Sequence, residues 1–212
     1  MPGTIVVLNG TPRSGKSSLA RALQASADAG AGPGVRAPAP WLNLGVDAMA
    51  RVAPAQLRPG IGLRPGGERP DLEEAVVTLF DALYAAVAAW SRSGLPVVVD
   101  VGHHDDFAQP LGILPKVARE LRALPAYFVG VRCPVEVVMS RRDASSADYV
   151  RSEPNGAIPD IVRRWERAVH DPGIYDLEVD TSTTSPAAGA EAILGRLRAG
   201  PPVAFAALAG RR

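Results

Sequence analysis

The sequence predicts a three-layer α/β/α fold built on a mostly parallel sheet. Four short runs rich in β-branched residues are apolar without alternation, as expected of strands covered on both faces. Amphipathic helical patterns separate those runs, so strand and helix alternate along most of the chain. Parallel strands joined through helices take right-handed crossovers.

Taken in order, "TIVVLN" (Thr4 to Asn9) is the first strand, and an apolar helix-forming segment from Ser17 to Ala27 follows a loop of small residues. "DAGAGPGVRAPAP", approximately 28–40, has the composition of a flexible loop. "WLNLGVD" (Trp41 to Asp47) is the second strand. The Gly/Pro-rich stretch at approximately 53–70 is too long for a plain connector, which leaves a functional cover or disorder. The helix from Asp71 to Ser93 carries Leu72, Val76, Leu79, Phe80, Leu83, Val87 and Trp90 on one stripe. Asp71 and Glu74 resemble a capping box at its start, and Gly94 suits its stop.

"PVVVDV" (Pro96 to Val101) and "AYFVGVRC" (Ala126 to Cys133) are the third and fourth strands, with a helix over Pro115 to Ala123 between them. Beyond a helical "PVEVVM", the segment at approximately 141–164 is arginine-rich and broken by Pro and Gly, which suits a lid. A helix over Ile158 to Val169, a weaker fifth strand "YDLEVDT" (Tyr175 to Thr181) and a helix over Pro186 to Leu197 complete the series. The apolar tail "PPVAFAALAG" packs on the core or on a second subunit, so a homo-oligomer is open.

At 212 residues the chain suits one domain. Its 47% hydrophobic and 21% charged content excludes wholesale disorder, and a net charge of +1 leaves no electrostatic footprint for nucleic acid or an anionic membrane. No apolar stretch approaches the roughly 20 residues of a membrane-spanning helix, and no signal segment opens the chain. The single cysteine, Cys133, excludes an intrachain disulfide and reads as a small core residue. These features suit a cytoplasmic protein. Only two of the 23 basic residues are lysines, Lys16 and Lys116, so a lysine inside a glycine loop is notable.

That loop, Gly10 to Ser17, reads "GTPRSGKS" and matches the phosphate-binding pattern GxxxxGK followed by Ser or Thr, between a strand and a helix as the pattern requires. Gly10 and Gly15 let the backbone curl so that amide hydrogens face phosphate oxygens, and the next helix adds the positive end of its dipole. Lys16 can reach the β- and γ-phosphates of ATP, and the Ser17 hydroxyl can ligate Mg²⁺. Thr11, Pro12, Arg13 and Ser14 fill the variable positions, and Ser18 joins the nucleotide-binding set. The bland alternative is a chance glycine-rich turn.

Asp100 closes an apolar strand, a costly position unless a cation meets it, and hydrated Mg²⁺ would do so. Otherwise it begins the turn at Gly102. Asp47 ends another predicted strand, at the carboxyl edge where ligands bind in open α/β sheets. There it could take the proton of a substrate hydroxyl, or merely cap the following helix. Arg141 and Arg142, with Arg151, Arg163 and Arg164, could neutralise a transferring phosphoryl group from the lid, or be solvated. His103 and His104 suggest a metal with Asp105 and Asp106, but no third His or Cys supports zinc. A loop near the substrate, or a plain surface loop, serves as well. His170 caps or orients a helix end.

These blocks, "PWLNLGVDAM", "VVVD", "VGVRCPVEV" and "VHDPGIYDLEVDT" after the glycine loop, resemble the chloramphenicol phosphotransferase family of antibiotic kinases from about Ile5 to Thr181. The resemblance implies a P-loop kinase fold and transfer of the γ-phosphate of ATP to a small hydroxylated acceptor. It implies a catalytic Asp47, a strand-end acid at Asp100 and an arginine at Arg141. Where the family has a second acid after the strand-end aspartate, this chain has Val101. The segments at 53–70 and 105–115, which would line the acceptor pocket, show no likeness. The acceptor could therefore be chloramphenicol, another natural product or a metabolite. Competing readings are a kinase of primary metabolism, a nucleotide-dependent switch acting through a partner, and an inert relic of the loop.

Overall fold

The computed structural model describes residues 1–28, 40–59, 62–146 and 149–210. Five parallel strands, β1 (Ile5–Asn9), β2 (Leu42–Asn43), β3 (Val97–Val101), β4 (Ala126–Arg132) and β5 (Leu177–Asp180), lie in the order β2-β3-β1-β4-β5. In the central pairs Ile5 is in register with Val97 and with Ala126.

The unbroken apolar character of β1 follows from its position. Ile5 and Val7 join the core on one face, with Val99 and Phe128, while Val6 and Leu8 join that on the other, with Val98 and Val131. Strand side chains alternate faces, so a strand between two helical layers must be apolar at every position. The first face is covered by α3 (Glu73–Arg92), α4 (Ile113–Leu121) and α8 (Ala204–Ala209), and the second by α1 (Lys16–Asp28) and α7 (Pro186–Arg198). This is the expected three-layer arrangement. A satellite core under α5 (Val135–Asp143) and α6 (Asp160–Val169) holds Cys133, Val138, Met139 and Val162, so Cys133 is a core residue.

Helix α8 resolves the apolar tail: Phe205 and Leu208 are buried against the core, with the Phe205 ring 5.1 Å from that of Phe128. Burying one such side chain contributes roughly 1.5–3 kcal/mol.

Two local expectations are corrected. The capping box at the start of α3 does not form, because the Asp71 carboxylate is taken by Arg69 in a two-pronged pair at 2.9 and 2.7 Å. A short 3₁₀ turn, Pro70–Leu72, leads into the helix instead. The second strand is only two residues long, so Asp47 lies in the first turn of α2 (Val46–Val52), whose N-cap is Gly45. The stop at Gly94 is as expected, with Gly94 N donating to Ser91 O at 2.8 Å and Leu95 N to Trp90 O at 3.1 Å, the Schellman pattern.

The stretch at 28–40 lies almost wholly outside the described residues. Of 53–70, the described part is a cover: Leu63 is buried and its neighbours line a cleft. Among the described residues no helix is long and apolar enough to cross a membrane.

Candidate active site

Because all five strands run the same way, their carboxyl ends open on one edge, and the loops after β1, β2 and β3 meet there. The loop after β1 carries the glycine motif. Gly15 adopts φ +103°, and Arg13 adopts φ +74°, a left-handed conformation that costs a side-chain-bearing residue on the order of 1 kcal/mol. The Arg13 guanidinium is tied down in return, donating to Arg141 O at 3.2 and 2.9 Å.

Lys16 folds over this loop, its Nζ donating to Gly10 O at 2.8 Å and Thr11 O at 2.7 Å. Burial lowers its pKa to about 8, although the negative fields of Asp100, Asp47 and Glu166 oppose the shift. Ser17 Oγ donates to Asp100 Oδ2 at 2.7 Å. Thr11 Oγ1 donates to Glu166 Oε2 at 2.9 Å, and Pro12 O accepts a long contact from Arg142 Nη2 at 3.4 Å. Ser14 Oγ is buried with no partner among the described residues. Ser18 accepts from Arg21 Nη2 at 3.3 Å.

Two clefts meet over this loop. The outer one, about 470 Å³, is bordered by Gly15, Ser18, Arg141, Thr181 and Pro186. The inner one, about 330 Å³, is bordered by Val46, Leu63, Arg64, Asp100, Arg142 and Trp165. Arg13, Lys16, Ser17, Asp47 and Tyr149 border both. Asp47 is exposed, but on the seam between the clefts.

The five arginines of the expected lid separate. Arg141 donates to Thr181 O at 2.8 Å and Thr181 Oγ1 at 3.1 Å in the outer cleft. Arg142 is 1% exposed and borders only the inner one. Arg164 pairs with Asp106 at 2.6 Å, Arg163 is exposed, and Arg151 donates to the carbonyls of Arg142 and Asp143. None of these three borders either cleft.

Of the readings open for His103 and His104, the plain surface loop is corrected, because both side chains are buried. His103 is 2% exposed, stacks on Phe80 with ring centroids 4.7 Å apart, and shares a 2.6 Å hydrogen bond with Tyr84 Oη. Burial drops its pKa to about 3, so it stays neutral. His104 Nε2 is 2.9 Å from Leu63 O, which pins the cover. Among the described residues no group of three or more His, Cys, Asp or Glu could hold a metal ion. His170, at the end of α6, shares a 2.8 Å hydrogen bond with Tyr175 Oη through Nδ1, which orients that helix end.

Glu166 and Trp165 carry no motif, and sequence reasoning missed them. The i, i+3, i+7 spacing of Val162, Trp165 and Val169 marks the buried face of α6, but only the fold turns that face toward the glycine loop. Arg64 was hidden in the featureless cover.

A model of the family described as chloramphenicol phosphotransferase-like protein matches residues 3–198. No curated protein sequence matches significantly. Among solved structures, a sugar kinase from Janibacter sp. is similar at 15% identity and a TM-score of 0.61, over 99% of this chain and 100% of that one. The APS kinase of Mycobacterium tuberculosis is similar at 16% identity and a TM-score of 0.58, over 93% of this chain and 98% of that one. The tunicamycin resistance protein of Deinococcus radiodurans is similar at 19% identity and a TM-score of 0.56, over 94% and 98%. At these identities the likeness establishes a P-loop kinase fold.

Proposed function

The chain belongs to the chloramphenicol phosphotransferase-like family, and on that premise we propose that it transfers the γ-phosphate of ATP to a hydroxyl of a small molecule. One observation carries the reading: Asp47 stands on the seam of two clefts together with Lys16 and Ser17. The outer cleft takes the nucleotide, with its phosphates against the loop amides and the N-terminus of α1. The inner cleft takes the acceptor.

Lys16 exchanges the carbonyls of Gly10 and Thr11 for phosphate oxygens when the nucleotide arrives. Asp47 takes the proton of the acceptor hydroxyl as that oxygen bonds to the γ-phosphorus and the bond to the bridging oxygen breaks, releasing ADP. Arg141 and Arg13 border the phosphate path as further cations. The Ser17 hydroxyl and Asp100 carboxylate, joined at 2.7 Å beside the loop, are hard oxygen donors that fit Mg²⁺. When bound, the ion supplies charge neutralisation on the β- and γ-phosphate oxygens.

The test incubates the protein with ATP, Mg²⁺ and a panel of hydroxylated antibiotics and metabolites, and looks by mass spectrometry for a gain of one phosphoryl group. Transfer that is lost in Asp47→Asn while calorimetric ATP binding persists supports the proposal. ATP hydrolysis that survives Asp47→Asn with no acceptor phosphorylated would favour a nucleotide-dependent switch.

A further inference from the structure

We infer that the inner cleft is built for an acceptor that carries an anionic group besides its hydroxyl, with Arg142 and Arg64 as the residues that hold that group. This rests on the kinase reading and narrows its substrate class.

Arg142 is 1% exposed, yet among the described residues no carboxylate lies within salt-bridge distance of it. A buried, unpaired guanidinium is expensive, and a protein keeps one where a ligand supplies the counter-charge. Its Nε is buried with no partner among the described residues, and so is the indole Nε1 of Trp165, 8% exposed, which borders the same cleft. Both groups can only donate, so the ligand they fit is an acceptor of hydrogen bonds. The rings of Tyr149 and Trp165 lie 5.9 and 5.8 Å from the guanidinium carbon, within cation–π range, and support the charged form in an apolar setting.

Arg64 adds a second charge. It makes no ion pair among the described residues, and its field reaches Arg142, an unfavourable approach that an anion between them would reverse. Its segment is anchored on both sides, by His104 against Leu63 O at 2.9 Å and by Gly66 N donating to Asp106 O at 2.7 Å. Asp106 is held in turn by Arg164. The histidine-aspartate stretch after β3 thus positions an arginine over the cleft.

The phosphoryl group in transit does not need this pair. Arg13 and Lys16 border both clefts, whereas Arg64 and Arg142 border the inner one alone. The inner cleft holds four cationic side chains, those of Arg13, Lys16, Arg64 and Arg142, against the two carboxylates of Asp47 and Asp100. The nucleotide's phosphates answer Lys16 and Arg13, which border both clefts, so Arg64 and Arg142 are the cations left to face the acceptor.

The experiment presents the protein, with ATP and Mg²⁺, with hydroxy acids paired with their methyl esters and sugar phosphates paired with their parent sugars. Expected is transfer to anionic members at least tenfold better in kcat/KM than to their neutral partners. Arg64→Gln should raise KM for the anionic members at least tenfold with calorimetric ATP affinity unchanged, and Arg142→Lys, which keeps the charge but loses the planar fork, should do likewise. Neutral members phosphorylated as well as their anionic partners would overturn the inference. Should no member be phosphorylated, the kinase reading fails by itself. Calorimetric binding of the anionic members beside a non-hydrolysable ATP analogue, absent in Arg64→Gln, would then still uphold the anion site, and no such binding would overturn it.

Discussion

The Ser17 hydroxyl donates to Asp100 Oδ2 at 2.7 Å, joining the start of α1 to the fourth residue of β3 across a gap of 83 positions. Gly45 packs directly behind that pair. A Cβ built on it would fall 1.5 Å from Asp100 Oδ1 and 2.8 Å from Asp100 O, so the carboxylate keeps its place only while position 45 has no side chain.

Gly45→Ala should therefore displace Asp100 without unfolding the chain, since the backbone at position 45, φ −128°, suits alanine. An ångström-scale misplacement costs up to about a hundredfold in rate. Phosphoryl transfer titrated with Mg²⁺ should show a fall of at least tenfold and a raised Mg²⁺ requirement, with cooperative thermal melting retained. Full activity in this variant would contradict the role given to Asp100.

Asp47→Asn removes the base but leaves both clefts and the glycine loop intact. Transfer should fall by about 10²–10⁴-fold, the usual contribution of a positioned base, while ATP affinity by calorimetry changes little. Equal losses in both would mean that Asp47 serves nucleotide binding instead.

Lys16 gives nucleotide binding a pH signature. Burial lowers its pKa to about 8, and a bound polyphosphate must raise it, so binding takes up a proton near and above pH 8. Calorimetry at pH 8.5 in buffers of different ionisation heat should show that uptake, and ATP affinity should decline as the pH rises further. Binding without proton exchange would refute this account.

His103 predicts acid sensitivity of the fold. Its pKa near 3 in the native state lies below the usual 6.5, so between those values the unfolded chain binds the extra proton and stability falls as pH falls. From pH 6.5 to 5 this amounts to roughly 2 kcal/mol. Urea unfolding across that range should show a steeper loss in the native protein than in His103→Gln.

How much of this could be read in the chain depends on whether the signal was local. The layered fold was legible because a strand buried on both faces leaves its mark on every residue, as in Ile5 to Leu8, and the glycine loop because its chemistry resides in eight consecutive positions. The pairing of Ser17 with Asp100 was anticipated through separate motifs sharing one ion. Asp71 misled because its own neighbour, Arg69, claims the carboxylate that a capping box requires. A surface loop at His103 and His104 stayed open because nothing nearby in sequence reveals that Phe80 and Leu63 fold over them.

By itself the sequence determined the alternation of elements, the glycine loop between β1 and α1, the candidate acids at positions 47 and 100, and an arginine-rich stretch after the fourth strand. Only the tertiary structure decided which arginine faces which cleft, that Arg64 comes down from the cover to join Arg142, and that Trp165 and Glu166 approach the loop. The reason is geometric. A motif records neighbours along the chain, whereas a cleft is assembled from residues far apart in it, as where Arg13 and Pro186 border the outer cleft together, and only packing sets the distances between them.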